Sequence, residues 1–217
     1  MAPTTAVSSP PKSRRPWRVV GFFSIVLVIV GLGVLDWLNS IARSALPQLD
    51  GVAQVPGLSE RVTVIRNGHG VPTIEASNLE DLFFAQGYVT AQDRLWQMDA
   101  MRRAAAGDLS EILGDDLLKH DREQRILGMR EAARKALEVG SDQDRTRFEA
   151  YARGVNAFIN SHRDHLPIEF RIVGYSPRPW TPEDSSLIAV QMVQELNHYP
   201  YKDALTREKS WRNWARS

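Results

Sequence analysis

Hydrophobic residues fall along this chain in two unlike patterns. From Val19 to Leu35, VVGFFSIVLVIVGLGVL, the run is apolar without a charge, and Trp37 and Leu38 extend it past Asp36. A helix needs about 17–25 such residues to cross a hydrocarbon core. After Leu58 the apolar residues become periodic instead. Arg61–Ile65, RVTVI, alternates and is β-branched, which predicts a strand. Asn67-Gly68 predicts a tight hairpin turn, and Val71–Ala76 the return strand. Asn78–Arg103 then reads as one long helix, capped by Asn78, with Glu80 and Asp81 in its first turn and Arg102 and Arg103 at its far end. Its first half is apolar nearly all round, so burial on most sides is expected. Its second half carries Asp93, Arg94, Asp99, Arg102 and Arg103, and charges in a buried helix need partners. The spacing of Asp99 to Arg102 and Arg103 supplies them.

Further helices come after it. A short one is expected at Ser110–Leu113, closed by Gly114, then one over Asp115–Glu138, broken near Gly128 and stopped by Gly140. Ser141 caps the next, whose Phe148, Tyr151, Ala152, Val155, Phe158 and Ile159 keep helical spacing. Leu166–Tyr175 reads as a connector. Thr181-Pro182-Glu183-Asp184 is a strong helix start, and that helix continues to about Leu196 with Val193 and Leu196 at core-like spacing.

The expected organisation has five parts: a basic, disordered segment at 1–18, a transmembrane anchor or signal segment at 19–38, a Pro- and Gly-containing linker at 39–57, a folded region at 58–200 and a divergent tail at 201–217. The basic flank places the N-terminus in the cytoplasm by the positive-inside rule. A cleaved signal peptide and a buried core helix are the alternatives for the apolar run. An anchor or a cleaved signal would each export the chain beyond Leu38, to the periplasm or the extracellular space in a bacterial-type cell.

Composition removes several functions. The chain has no cysteine, which excludes disulfides, a thiol nucleophile and cysteine-ligated metal. A net charge of +1 over 217 residues gives no reason to expect nucleic acid as a partner. The sequence holds no GxSxG, HExxH, phosphate-binding loop or GxGxxG motif. His162 and His165 lie at a helix end without carboxylates to complete a metal site. His69 sits in a turn, and Ser141, Ser176 and Ser185 sit where capping accounts for them. No catalytic set of nucleophile, base and oxyanion donors can be assembled from these residues.

The stretch VTVIRNGHGVPTIEASNLEDLFFAQGYVTAQDRLWQMDAMRRAAAGDLSEILG, followed by YARGVNAFI, LPIEF and VGYSPRPWTPEDS, resembles the N-terminal part of the α subunit of penicillin acylases, N-terminal-nucleophile hydrolases that cleave amide bonds. The resemblance covers roughly Leu58–Leu196. It implies an α+β fold class: a mostly helical portion with an N-terminal β-hairpin, part of a four-layer αββα fold shared with a β subunit cut from the same precursor. It also implies that the nucleophile is a serine freed at the start of the β subunit, with its own α-amino group as base; an amine of pKa near 8 suits that task.

By register with the family, the acyl-binding positions fall near Val193, Leu196 and Asn197. The family often has an apolar or aromatic residue where Asn197 stands. A carboxylate that helps bind a structural calcium maps to Asp203, with Glu208 and Glu195 as rivals; calcium takes six to eight oxygens, so one carboxylate is far from a site. The expectation is therefore a truncated α-subunit-like portion of an exported acyl amide hydrolase, acting on a penicillin side chain, an acyl-homoserine lactone or similar, and inactive without its β subunit. The rival expectations are a membrane-tethered scaffold that keeps the fold without catalysis, and a fragment whose hairpin edges leave it unstable.

Overall fold

The computed structural model describes residues 15–44 and 49–197, together with residues 206, 208 and 211. It divides into two units, residues 1–44 and 45–217. The first is α1, Arg15–Ser44. Its window Val20–Trp37 has a mean hydropathy of 2.3 and is exposed throughout, which marks a candidate membrane span or signal by length and composition.

The second unit is mostly helical with one small sheet. β1 (Thr63–Arg66) and β2 (Pro72–Glu75) pair antiparallel, with Val64 opposite Ile74. The connection between them is longer than the tight Asn-Gly turn the sequence suggests. It is a loop over 67–71 in which the Asn67 side-chain oxygen accepts from the amides of His69 at 2.9 Å and Val71 at 3.0 Å. Asparagine here organises the loop by its side chain rather than by a left-handed backbone.

α2 (Leu79–Ala106) is the long helix that the pattern predicts. Asn78 accepts from the amide of Asp81 at 2.8 Å, and Gly107 ends the helix at φ 73°. Only the expectation of one continuous helix needs correction: Arg94 has φ −146° and ψ 25°, so two helical stretches meet there. Neither proline nor glycine adjoins the break.

α3 (Ser110–Leu113), a 3₁₀ turn at Asp115–Leu117, α4 (Leu118–Leu127) and α5 (Met129–Val139) come next, with the break at Gly128 as expected. The helix expected over Asp115–Glu138 takes Leu117, Leu118, Ile126, Leu127, Met129, Ala133 and Leu137 as its apolar positions, and within α4 that stripe is a second correction. Leu118, Ile126 and Leu127 are exposed, whereas Asp121 and Gln124 are buried. The Asp121 carboxylate faces inward because it accepts from the amides of Leu109 at 3.1 Å and Ser110 at 2.7 Å, the open start of α3.

α6 (Asp142–Ser161) is capped by Ser141, which accepts from the amide of Asp144 at 3.1 Å. Where a connector is expected, the chain forms the short helix α7 (Ile168–Val173). Pro167 precedes its first turn and Gly174, at φ 81°, ends it, so both residues punctuate a helix rather than a loop. α8 (Pro182–Asn197) starts at the capping Thr181 as the sequence indicates.

The core lies where α2, α6 and α8 meet. Leu95 and Met98 of α2 pack with Val155 and Phe158 of α6 and with Phe170 and Trp180. Full burial of each such side chain contributes about 1.5–3 kcal/mol. A second cluster joins Ala105 and Ala106 to Met129, Ala133 and Leu187. α2 and α6 touch backbone to backbone: a Cβ on Gly87 would run into the Tyr151 carbonyl, and one on Gly154 into the Phe84 carbonyl.

Candidate functional site

Two features stand out at the junction of α2, α6 and α8: a buried charge network, and an apolar groove. Arg102 is at the centre of the network and is 1% exposed. Its Nε donates to Asp99 Oδ1 at 2.9 Å, and Nη2 donates to the same oxygen and, at 2.9 Å, to the carbonyl of Arg178. Nη1 reaches Asp184 Oδ2 at 3.3 Å, and the guanidinium stands 5.0 Å from the Trp180 ring centroid. The other Asp99 oxygen accepts from Arg103 at 2.9 Å and from the Tyr175 hydroxyl at 2.6 Å. Asp184 accepts both arms of Arg178, at 2.8 and 2.6 Å, and the amide of Thr181 at 2.9 Å.

Burial pushes the Asp99 carboxyl upward, but the Arg102 charge and the hydrogen bonds from Tyr175, Arg103 and Arg102 outweigh it, so it ionises below its ordinary value. Asp184 behaves alike, with burial opposed by Arg178, Thr181 and Arg102. Burial and the Asp99 carboxylate push the Tyr175 hydroxyl well above the usual phenol range. Every charged group in this set is satisfied by another, and none is a free nucleophile or base. The network ties α2 to the start of α8. Asp93 has a similar part at the surface: Arg66 of β1 forks onto it at 2.9 and 2.8 Å, fixing the hairpin against α2.

The groove has a volume of about 570 Å³ and runs along α2 from Phe83 to Met101. Phe148 of α6 and Ile188 of α8 form part of its sides, with Met98 and Trp180 between them. Nothing in the sequence marks this groove, because its lining residues come from three helices whose packing must be known first.

The sequence-derived binding residues stand elsewhere. Val193, Leu196 and Asn197 are exposed on the last turns of α8, and the groove is lined without them. Val193 is 59% and Leu196 74% exposed, so their core-like spacing does not mean core here. Asn197 Nδ2 donates to the carbonyl of Val193 at 2.7 Å, which places those two residues together. Asp203 lies outside the described residues. Glu195 accepts from Gln191 at 3.0 Å, and Glu208 is exposed. Among the described residues, no three His, Asp or Glu side chains come together as metal ligands. His162 caps the end of α6 and stacks on Phe158 at 4.2 Å, and His69 is exposed in the hairpin loop. Ser185 accepts from Trp180 Nε1 at 2.9 Å, and Ser141 caps α6.

The described residues thus form a hairpin that feeds a long buried helix, braced by an internal charge network. The penicillin amidase family model matches residues 61–214, and the chain belongs to that family. It is 41% identical over 161 residues to the acyl-homoserine lactone acylase QuiP of Pseudomonas aeruginosa, a match covering 74% of this chain and 19% of that protein. It is 35% identical over 144 residues to penicillin G acylase of Escherichia coli, covering 63% of this chain and 17% of that protein. Among solved structures it is similar to a thermostable penicillin G acylase from Alcaligenes faecalis, with a TM-score of 0.60 and 29% identity over 71% of this chain and 84% of that chain. The chain thus spans about a fifth or less of the length of the curated relatives it matches.

Proposed function

We propose that residues 58–197 serve as the α-subunit-like portion of an exported acyl amide hydrolase, and that hydrolysis needs a second polypeptide carrying an N-terminal serine. One observation carries this reading: the same stretch accounts for 84% of a solved penicillin G acylase chain but only 17% of the curated Escherichia coli penicillin G acylase. The match is to one piece of a protein that occurs as more than one chain. The absence of a free nucleophile, base and oxyanion set among the described residues supports the same division of labour. Together the two chains would build the αββα fold, with the hairpin as part of its sheet. The substrate is an acyl amide such as a penicillin side chain or an acyl-homoserine lactone, with Val193, Leu196 and Asn197 as this chain's share of the acyl site. Calcium binding through Asp203, with the partner supplying most of the oxygens, belongs to the same proposal. So does membrane anchoring through residues 19–38, which carbonate extraction of membranes would test: release of the full-length chain into the supernatant overturns it.

The test of function is to assay the chain alone, and co-produced with the region of the Pseudomonas aeruginosa acylase C-terminal to its matching segment, on a chromogenic phenylacetyl amide and an acyl-homoserine lactone. The expected result is turnover by the pair and none above a blank by the chain alone. Turnover by the chain alone overturns the division of labour. A stable pair without turnover of either substrate overturns the acylase reading.

A further inference from the structure

The groove along α2 contains a cation without a counter-ion. Arg94 lies on its wall at the helix break, is exposed, and makes no hydrogen bond or ion pair with any described residue. The other two charges in the lining neutralise each other: Arg147 meets Asp144 at 3.2 Å and stands 5.9 Å over the Phe83 ring. The lining therefore carries one net positive charge on a largely apolar surface that also holds Gln86, Thr90, Gln97 and Ser185. Its volume of about 570 Å³ is that of a small-molecule site. Its shape is elongated, since it runs along five turns of α2 rather than closing into a bowl. Beyond Arg94, Met98 and Met101 continue the same wall toward Trp180 and Ile188; from Arg94 to Met101 the helix rises about 10 Å. Methionine walls adapt to a flexible apolar chain. Asp144 is neutralised by Arg147, so Arg94 alone sets the polarity of the site.

From this geometry we infer that the groove binds a linear alkyl monocarboxylate, its carboxylate on Arg94 and its chain along Met98 and Met101 toward Trp180. Binding there requires no amide hydrolysis, so failure of the acylase reading leaves the experiment intact.

The experiment is equilibrium binding of octanoate to the full chain in lipid nanodiscs, with empty nanodiscs as blank and 1-octanol as the uncharged comparator. Wild type is expected to bind octanoate saturably and about fivefold more tightly than octanol, the scale of one solvent-exposed ion pair. Arg94→Gln removes that preference and retains octanol binding. Gln97→Glu, which sets an acid one turn from Arg94, weakens octanoate alone. Met101→Trp, which fills the groove, weakens both ligands. All three positions are exposed, where substitutions disturb stability little. No saturable octanoate binding, equal affinity for octanol, or an unchanged preference in Arg94→Gln overturns the inference. So does a co-purifying polypeptide that blocks octanoate until it is stripped off, which assigns the groove to a protein partner.

Discussion

The Tyr175 hydroxyl donates to Asp99 at 2.6 Å across 76 residues of sequence, and so ties the segment after α7 to the middle of α2. Tyr175→Phe deletes one donor to a buried carboxylate that keeps Arg102 and Arg103. The expected cost is about 1.5–2 kcal/mol, the lower part of the range for hydrogen bonds to charged groups, measured by urea unfolding. The pH dependence has a definite sign. The folded-state hydroxyl ionises above its unfolded value, so its contribution is complete below about pH 10 and is lost as pH rises toward the raised value. Wild type should lose stability above pH 10 more steeply than Tyr175→Phe; parallel curves would contradict this.

Arg102 is buried between Asp99 and Asp184. Removing it as Arg102→Ala leaves Asp99 and Asp184 buried, each short of a partner. Breaking one side of a buried ion pair costs about 3–5 kcal/mol. Arg102→Lys should restore little, because a single ammonium cannot serve Asp99, Asp184 and the carbonyls of Arg178 and Pro179 together. Thermal melts of the two variants read this directly; near-equal melting of Arg102→Lys and wild type would sink the geometric argument.

The sequence made α2, α6 and α8 legible because their caps are local: Asn78, Ser141 and Thr181 each act on an amide three residues away. Asp99 with its arginines was legible for the same reason, as an i, i+3, i+4 set. What escaped is long-range. Tyr175 reaches Asp99 across 76 residues and Asp184 reaches Arg102 across 82, and no local spacing announces either. The periodicity of α4 and of the end of α8 pointed to a core that those faces do not touch. Amphipathic spacing marks a face that packs somewhere, and in a chain matching a fifth of its relatives that somewhere need not be the same chain.

Gly87 and Gly154 make a prediction that helix propensity would reverse. Alanine favours a helix over glycine by about 1 kcal/mol. At Gly154, however, a methyl group meets the backbone of Phe84 and Tyr88, and at Gly87 the backbone of Tyr151 and Val155. Backbone in a packed helix cannot step aside, and overpacking costs about 1–3 kcal/mol or more. Both Gly87→Ala and Gly154→Ala should therefore destabilise, as seen in denaturant midpoints. A gain in stability for either would mean that α2 and α6 are not in this contact.

Leu196→Ser separates folding from function. The residue is exposed on the final turn of α8, so its change should alter the stability of this chain by no more than about 0.5 kcal/mol. If Leu196 lines an acyl site shared with a second polypeptide, the same change should raise KM for an acyl amide in the assembled pair. An unaltered KM with intact assembly removes Leu196 from the site.

Asp81 fixes the approach to α2 and contributes to the acid sensitivity of the fold. Its carboxylate accepts from the amide of Ser59 at 2.9 Å, the Ser59 hydroxyl at 2.6 Å, the amide of Glu60 at 3.0 Å and Asn78 Nδ2 at 2.8 Å. The Ser59 hydroxyl, followed by its amide, holds the acid at about 2, below the ordinary 3.8. A lowered carboxyl contributes stability that is complete above the unfolded value and is lost as pH falls through the folded one. Wild type should therefore weaken as pH drops from about 4 through 2. Asp81→Asn replaces an acceptor-only group with one that presents an amide to amides, and should cost about 2–3 kcal/mol at neutral pH. The difference between the two proteins should shrink on acidification, because protonating Asp81 abolishes the advantage that the substitution removes. Urea midpoints at neutral pH and near pH 2 measure it, and a difference that stays constant would show that residues 59 and 60 are held by something other than this carboxylate.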